Sequence, residues 1–124
     1  MYDHVGLNVK DYPASRAFYE AALAPLGYGT TMEFEEWKAA AFGPEGKPAF
    51  WVCQREPYGT GTHVAFACED RATVDRFYEA AVAAGGTDNG PPGLREHYHP
   101  TYYAAFVHDL DGNNVEAVCH KPEG

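Results

Sequence analysis

Sliding the sequence along itself by 59 residues brings two stretches into gapless register. His4 falls on His63, Val5 on Val64 and Asp11 on Asp70. Phe18, Tyr19 and Glu20 meet Phe77, Tyr78 and Glu79, while Ala21, Ala22, Ala24 and Gly27 meet Ala80, Ala81, Ala83 and Gly86. That makes 10 identities over the 24 positions from His4 to Gly27. A solenoid stacks three or more repeats to bury a continuous core, whereas a long unit present twice is a duplicated supersecondary structure. The repeat therefore sets the organisation of the chain before any element is assigned.

Each copy opens with an alternating segment. Val5, Leu7 and Val9 fall on one face and His4, Gly6 and Asn8 on the other; in the second copy Val64, Phe66 and Cys68 oppose His63, Ala65 and Ala67. Asp11 and Asp70 follow where a helix N-cap belongs. Ser15, Phe18, Tyr19, Ala22 and Leu23, and then Val74, Phe77, Tyr78, Ala81 and Val82, recur at the spacing of one helix face. Gly27 and Gly85-Gly86 stop the two helices. Strand-like segments come next at 30–35, 37–42 and 49–54. After a Gly/Pro-rich loop over 85–93 they return at 94–98, 102–109 and 114–120. The predicted unit is strand, helix and three strands. The fold class is therefore α+β: one domain of two tandem βαβββ modules, about 1–56 and 62–124, whose curved mixed sheets form a cup with the helices on the outer face.

Charge narrows the partners. Nine Lys and Arg against 18 Asp and Glu give a formal charge of −9, which repels phosphate backbones and anionic lipid surfaces. Nucleic acid and membrane are set aside as partners. The longest apolar run, Tyr102 to Val107, is far short of a bilayer span. Met1-Tyr2-Asp3-His4 lacks the basic-then-apolar pattern of an export signal. Cys53, Cys68 and Cys119 are too few and too scattered for a disulfide framework, and they read as reduced, apolar residues. The expected compartment is the cytoplasm.

A duplicated βαβββ unit with His-Val opening each copy and Phe-Tyr-Glu in each helix resembles the vicinal oxygen chelate superfamily. That group takes in glyoxalase I, extradiol dioxygenases, fosfomycin-resistance enzymes and bleomycin-resistance proteins. The segment from Phe106 to Glu116 is similar to the superfamily's closing hairpin, which ends in a metal-binding Glu. The resemblance implies a divalent metal (Fe, Mn, Ni, Co or Zn) held by His4, His63 and Glu116. Strand parity agrees, because each of the three is out of phase with its apolar neighbours. Two imidazoles and one carboxylate suit such an ion and leave positions open for substrate or water. Offsetting the last strands by 66, which aligns Gly46 with Gly112, Val52 with Val118 and Cys53 with Cys119, sets Phe50 against Glu116. A phenyl ring cannot ligate, so the four-ligand pattern of glyoxalase I is disfavoured.

The resemblance also directs attention to the stretch from Arg95 to Tyr103. His97 lies 19 residues before Glu116, similar in place to a His that assists oxygen chemistry in extradiol dioxygenases without binding the metal. His97 and Tyr103 are the expected acid–base residues. Phe106 stands where those enzymes carry a Tyr, and Arg95 is the one cation nearby for an anionic substrate. Trp37, Trp51 and Phe42 give the first sheet an aromatic character, and His108 and His120 sit at strand ends.

Two functions follow from these expectations. The first is a metal-dependent lyase, isomerase or dioxygenase, polarising an oxygen of a small oxygen-rich organic substrate. The second is a metal-free binding protein, resembling bleomycin-resistance proteins, that sequesters a small cationic or aromatic molecule. The exposed edges of each sheet imply a homodimer. Whether His4 shares its cup with Glu116 of the same chain or of a second copy stays open.

Overall fold

The computed structural model describes residues 1–122, so the end of the second module, 123–124, lies outside the described residues. The first module runs β1 (Val5–Val9), α1 (Tyr12–Leu23), β2 (Gly29–Phe34), β3 (Ala39–Gly43) and β4 (Phe50–Gln54). The second runs β5 (His63–Ala67), α2 (Arg71–Ala83), β6 (Thr87–Asp88), β7 (Gly93–Leu94), β8 (Tyr103–His108) and β9 (Asn114–Cys119). Their sheets have matching orders, β1-β4-β3-β2 and β5-β9-β8-β6, with β7 also paired to β8. In each, a parallel pair (β1 with β4, β5 with β9) joins antiparallel neighbours. The fold is α+β, two mixed sheets with two helices.

The helices begin as the repeat predicts. Asp11 Oδ1 accepts from the Ala14 amide at 3.2 Å, and Asp70 Oδ1 from the Thr73 amide at 2.8 Å. All five predicted stripe residues of α1 are buried. In α2 only Val74, Phe77 and Ala81 are, and Val82 faces solvent. Gly27 and Gly86 occupy one repeat position for different reasons. Gly27 adopts φ +81°, which a side chain resists. At Gly86 a Cβ would stand 2.5 Å from Val107 Cγ1 and 2.9 Å from Phe18 Cε1, so the glycine lets two modules approach. The loop expected over 85–93 holds β6 and the start of β7. The first module's single β2 strand is thus replaced by two short pairings with β8, which Pro91 and Pro92 keep from merging.

One core serves both modules. Leu7, Val9, Phe42, Phe50 and Val52 of the first sheet join Phe66, Val107, Val115 and Ala117 of the second, with α1 and α2 between them. Phe50 lies 5.0 Å from Tyr19 and 5.3 Å from Phe66, ring centre to ring centre. The Tyr19 hydroxyl, on α1, donates to the buried Asp109 carboxylate in the β8–β9 turn. Because the helix-bearing faces meet in this core, the opposite faces of the two sheets are left open. Among the described residues no helix is long and apolar enough to cross a membrane.

Candidate metal centre

The open face of the second sheet carries the residues that register predicts. Ala65, Glu116 and Phe106 stand abreast on β5, β9 and β8, and His63, Asn114 and His108 form the next row. His63 and Glu116 are diagonal neighbours on parallel strands, a separation that long side chains bridge. The His63 Nε2 lies 2.7 Å from Glu116 Oε1. Alternation places Val115 and Ala117 on the core side and Glu116 on the other. The carboxylate is nonetheless only 1% exposed, walled by its strand neighbours. Its second oxygen, Oε2, accepts from the Tyr102 hydroxyl. Burial, followed by the adjoining Glu116 carboxylate, pushes that hydroxyl well above the ordinary phenol range, so it stays a donor.

His4 is not part of this group. Its Nδ1 pairs with Asp3 Oδ1 at 2.7 Å, and it lines a hollow of about 390 Å³ on the first sheet with Gly6, Asn8, Trp51 and Cys53. Among the described residues no three His, Cys, Asp or Glu side chains are grouped to hold a metal. The structure therefore brings together two of the three expected ligands.

The first module's counterpart of Glu116 is Trp51, not Phe50. Val5 pairs with Phe50 and Gly6 with Trp51, as Val64 pairs with Val115 and Ala65 with Glu116. The true offset is 65. The glycines mislead because they sit at different places in equivalent turns. The Lys47 amide closes on Pro44 O, and the Gly112 amide on Asp109 O. Gly46, at φ +76°, precedes the closing residue in the first turn, while Gly112, at φ +86°, is the closing residue in the second. Phe50 points into the core. Trp51 stacks on Phe34 at 6.2 Å with the rings 7° apart, and an indole ligates no better than a phenyl ring.

Tyr103 takes the opposite face from Glu116. It pairs with Cys119 across β8 and β9, and its hydroxyl donates to Asp75 of α2 at 2.7 Å, under the Arg71 guanidinium. Burial and then Asp75 push it up to about 12. The residue that reaches the site is its neighbour Tyr102, and alternation from Glu116 through Phe106 to Ala104 was the signal that would have found it. His97 is exposed, packed on Tyr98 at 4.2 Å, and Tyr98 in turn meets the Tyr102 ring edge-on at 5.0 Å. Arg95 sits over the Phe106 ring at 5.3 Å, its guanidinium donating to the Gly93 and Pro91 carbonyls.

Residues 2–117 match the family model of the Glyoxalase/Bleomycin resistance protein/Dioxygenase superfamily. The chain belongs to that superfamily. A glyoxalase/bleomycin resistance protein from Albidiferax ferrireducens T118 is similar over 98% of this chain and 99% of its own, with 30% identity and a TM-score of 0.82. A putative glyoxalase from Bacillus halodurans is similar at 27% identity over 96% and 95% of the two chains, with a TM-score of 0.69. The uncharacterized protein YqjT of Bacillus subtilis (strain 168) is 29% identical over 94% of this chain and 96% of its own.

Members of the superfamily commonly use divalent metals. His63 Nε2 and Glu116 Oε1, 2.7 Å apart, are in direct hydrogen-bond contact, so among the described residues two donors meet without a third beside them. A carboxylate removed from water calls for a compensating positive charge. One chain thus supplies an imidazole and a carboxylate, the donor chemistry of a divalent first-row site.

Proposed function

We propose that this superfamily member is a metal-dependent enzyme acting on a small oxygen-rich organic substrate. His63 and Glu116 of one chain hold the ion, and His4 of a second copy completes the ligand set in a homodimer. The observation that carries this reading is the buried Glu116 carboxylate set against His63 on an otherwise open sheet face. The open first sheet supports the dimer, since His4 and Trp51 line an open hollow and Trp37 is 67% exposed. Bound there, a divalent ion would supply Lewis-acid polarisation of a substrate oxygen. The chain's own residues divide the remaining work. Tyr102 keeps Glu116 in place, Phe106 with Arg95 above it forms one wall, and His97 on the loop before Tyr102 is the proton-moving candidate. Tyr103, turned toward α2, has no part in it. The three free thiols, Cys53, Cys68 and Cys119, suit the cytoplasm.

The test is metal analysis of tag-free protein, as purified and after reconstitution with Fe, Mn, Co, Ni and Zn. Stoichiometric binding that Glu116→Gln abolishes supports the proposal. Binding below stoichiometry for every metal overturns it.

The second reading, a metal-free binder of a cationic or aromatic molecule, is favoured by a separate observation. Phe34 lies between Trp37, at 5.1 Å, and Trp51, at 6.2 Å, on the open face of a chain carrying −9 charge. Cations are drawn to such ring faces. Calorimetry with basic glycopeptides distinguishes it, since that reading requires heat that survives chelation of metal.

A further inference from the structure

We infer that the open face of the first sheet holds a binding slot for a small aromatic monocarboxylate, a site that goes beyond the metal reading and is tested without metal. Strand parity sets its floor. Gly6 and Asn8 of β1 stand abreast of Trp51 and Cys53 of β4, on the face away from the core. With His4 at one end and Arg55 at the other, they line a hollow of about 390 Å³, within the range of roughly 300–1,000 Å³ typical of small-molecule sites. Phe34 reaches Trp51 from β2, across the sheet from β1, and stacks on it with the rings 7° apart. The opposite face of the indole is therefore turned toward β1. There Gly6 provides no side chain, and a Cβ built on it would meet nothing within 4 Å. A flat ring fits this gap, against the indole and over bare backbone.

The far wall and the charge complete the slot. Asn8 Nδ2 donates to Pro57 O at 2.9 Å and so fastens the linker between the modules alongside β1. A smaller hollow of about 170 Å³ lies between them, sharing Gly6 and Asn8 and walled by Pro57 and Tyr58. Just after β4, Arg55 enters no ion pair among the described residues, whereas Arg16 is held by Glu20 and Glu33, and Lys121 by Glu69. Lys10 and Glu56 line an adjoining hollow with Arg55 and offset each other. Asp3 is at the opposite end, paired with His4. The planar fork of a guanidinium matches a carboxylate. A single charge suits a chain of −9, whose field opposes polyanions. The ligand's ring thus lies by Trp51 and its carboxylate by Arg55.

The test is calorimetry on the full chain in the presence of EDTA, with three probes of one shape: 2-naphthoate, neutral 2-naphthamide and cationic 2-naphthylmethylammonium. We expect saturable binding of one 2-naphthoate per chain, weaker binding of the amide and weakest of the cation. Arg55→Gln should lower naphthoate affinity roughly tenfold, the low end of what a hydrogen bond to a charged group contributes, and leave the amide unchanged. Gly6→Val fills the floor with a residue that strands favour; it should abolish binding of all three while circular dichroism stays that of the wild type. Trp37→Phe, which alters a ring that packs on Phe34 and does not line the hollow, keeps the wild-type affinity. Naphthoate that gives no saturable heat, binds no tighter than its amide, survives Gly6→Val or loses to the cation overturns the slot. Because the measurement excludes metal, failure of the metal proposal leaves these outcomes untouched, and failure of the slot leaves metal binding untouched.

Discussion

Replacing Tyr19 by Phe removes one hydroxyl and leaves the packing of its ring unchanged, so it isolates a single contact between the modules. Asp109, 5% exposed, is satisfied by converging donors. Oδ1 accepts from the Asp111 and Asn113 amides at 2.9 and 2.8 Å, and Oδ2 from Asn113 Nδ2 at 3.0 Å and from the Tyr19 hydroxyl. A hydrogen bond to a charged group contributes about 1.5–3 kcal/mol, and since the other donors remain we take about 2. An unfolding entropy of about 2.1 cal/mol/K per residue gives about 0.26 kcal/mol/K for 124 residues. The midpoint of thermal unfolding, followed by circular dichroism, should fall by about 8 °C. Alkaline pH supplies a second signature. Burial, and then the charge of Asp109, hold the Tyr19 hydroxyl well above the ordinary phenol value. The folded chain keeps a proton that the unfolded chain sheds above about pH 10, so stability present below that pH declines above it. The slope is about 1.4 kcal/mol per pH unit from this group, and Tyr19→Phe loses it. Tyr78, the repeat counterpart, is half-buried and faces Asp88 near the surface; Tyr78→Phe should leave the midpoint essentially unchanged. Equal losses from the two variants, or an unchanged alkaline slope in Tyr19→Phe, would refute the assignment of this contact as one that joins the modules.

Two further outcomes follow from the proposed centre. A site shared across a dimer predicts complementation: His4→Ala and Glu116→Gln chains, each defective alone, should on mixing and subunit exchange regain about a quarter of the wild-type metal content, since one site in each mixed dimer is intact and half the dimers are mixed. A site closed within one chain regains none, and elemental analysis reads the difference. Trp51→Glu sets a carboxylate at the position equivalent to Glu116. It should tighten Ni(II) or Zn(II) binding roughly tenfold or more, about 1.4 kcal/mol, by calorimetry; unchanged affinity would show that Trp51 does not border the ion.

What was legible in the sequence was whatever the duplication had kept. The 59-residue repeat carried both strands β1 and β5, both Asp caps and both helices, because an N-cap, an apolar stripe and an alternating strand are each written locally. It also carried the His positions and, with parity, the placement of Glu116 on the open face. The failures came where tertiary context decides. The offset of 66 rests on matching Gly46, Val52 and Cys53 with Gly112, Val118 and Cys119, yet a left-handed position shifts by one place between two turns that close identically, and that single step exchanges Phe50 for Trp51. Tyr103 enters as an acid–base expectation through the resemblance and not through strand parity, although counting back along β8 from Phe106 puts Tyr103 on the helix side and Tyr102 on the other. The 87–94 stretch reads locally as a Gly/Pro-rich loop; Pro91 and Pro92 are legible as the break, whereas the pairing of the short segments on either side depends on β8, distant in sequence.

The repeat positions that differ are the ones that bear on function. Tyr19 and Tyr78 began alike, but only Tyr19 meets a buried carboxylate, and it does so because α1 lies against the second module's turn. That packing uses the helix-bearing face of each sheet to build the common core, which leaves the two His-bearing faces pointing away from it. A chain assembled this way holds its proposed ligands apart: His63 and Glu116 on one sheet, and His4, beside Trp51, on the other. The dimer in the proposed function is thus a consequence of how the modules join, and it stands on the same interface that Tyr19→Phe weakens. If the proposal is right, that variant should lose metal in parallel with its thermal stability as it is warmed, although no atom of Tyr19 approaches the ion.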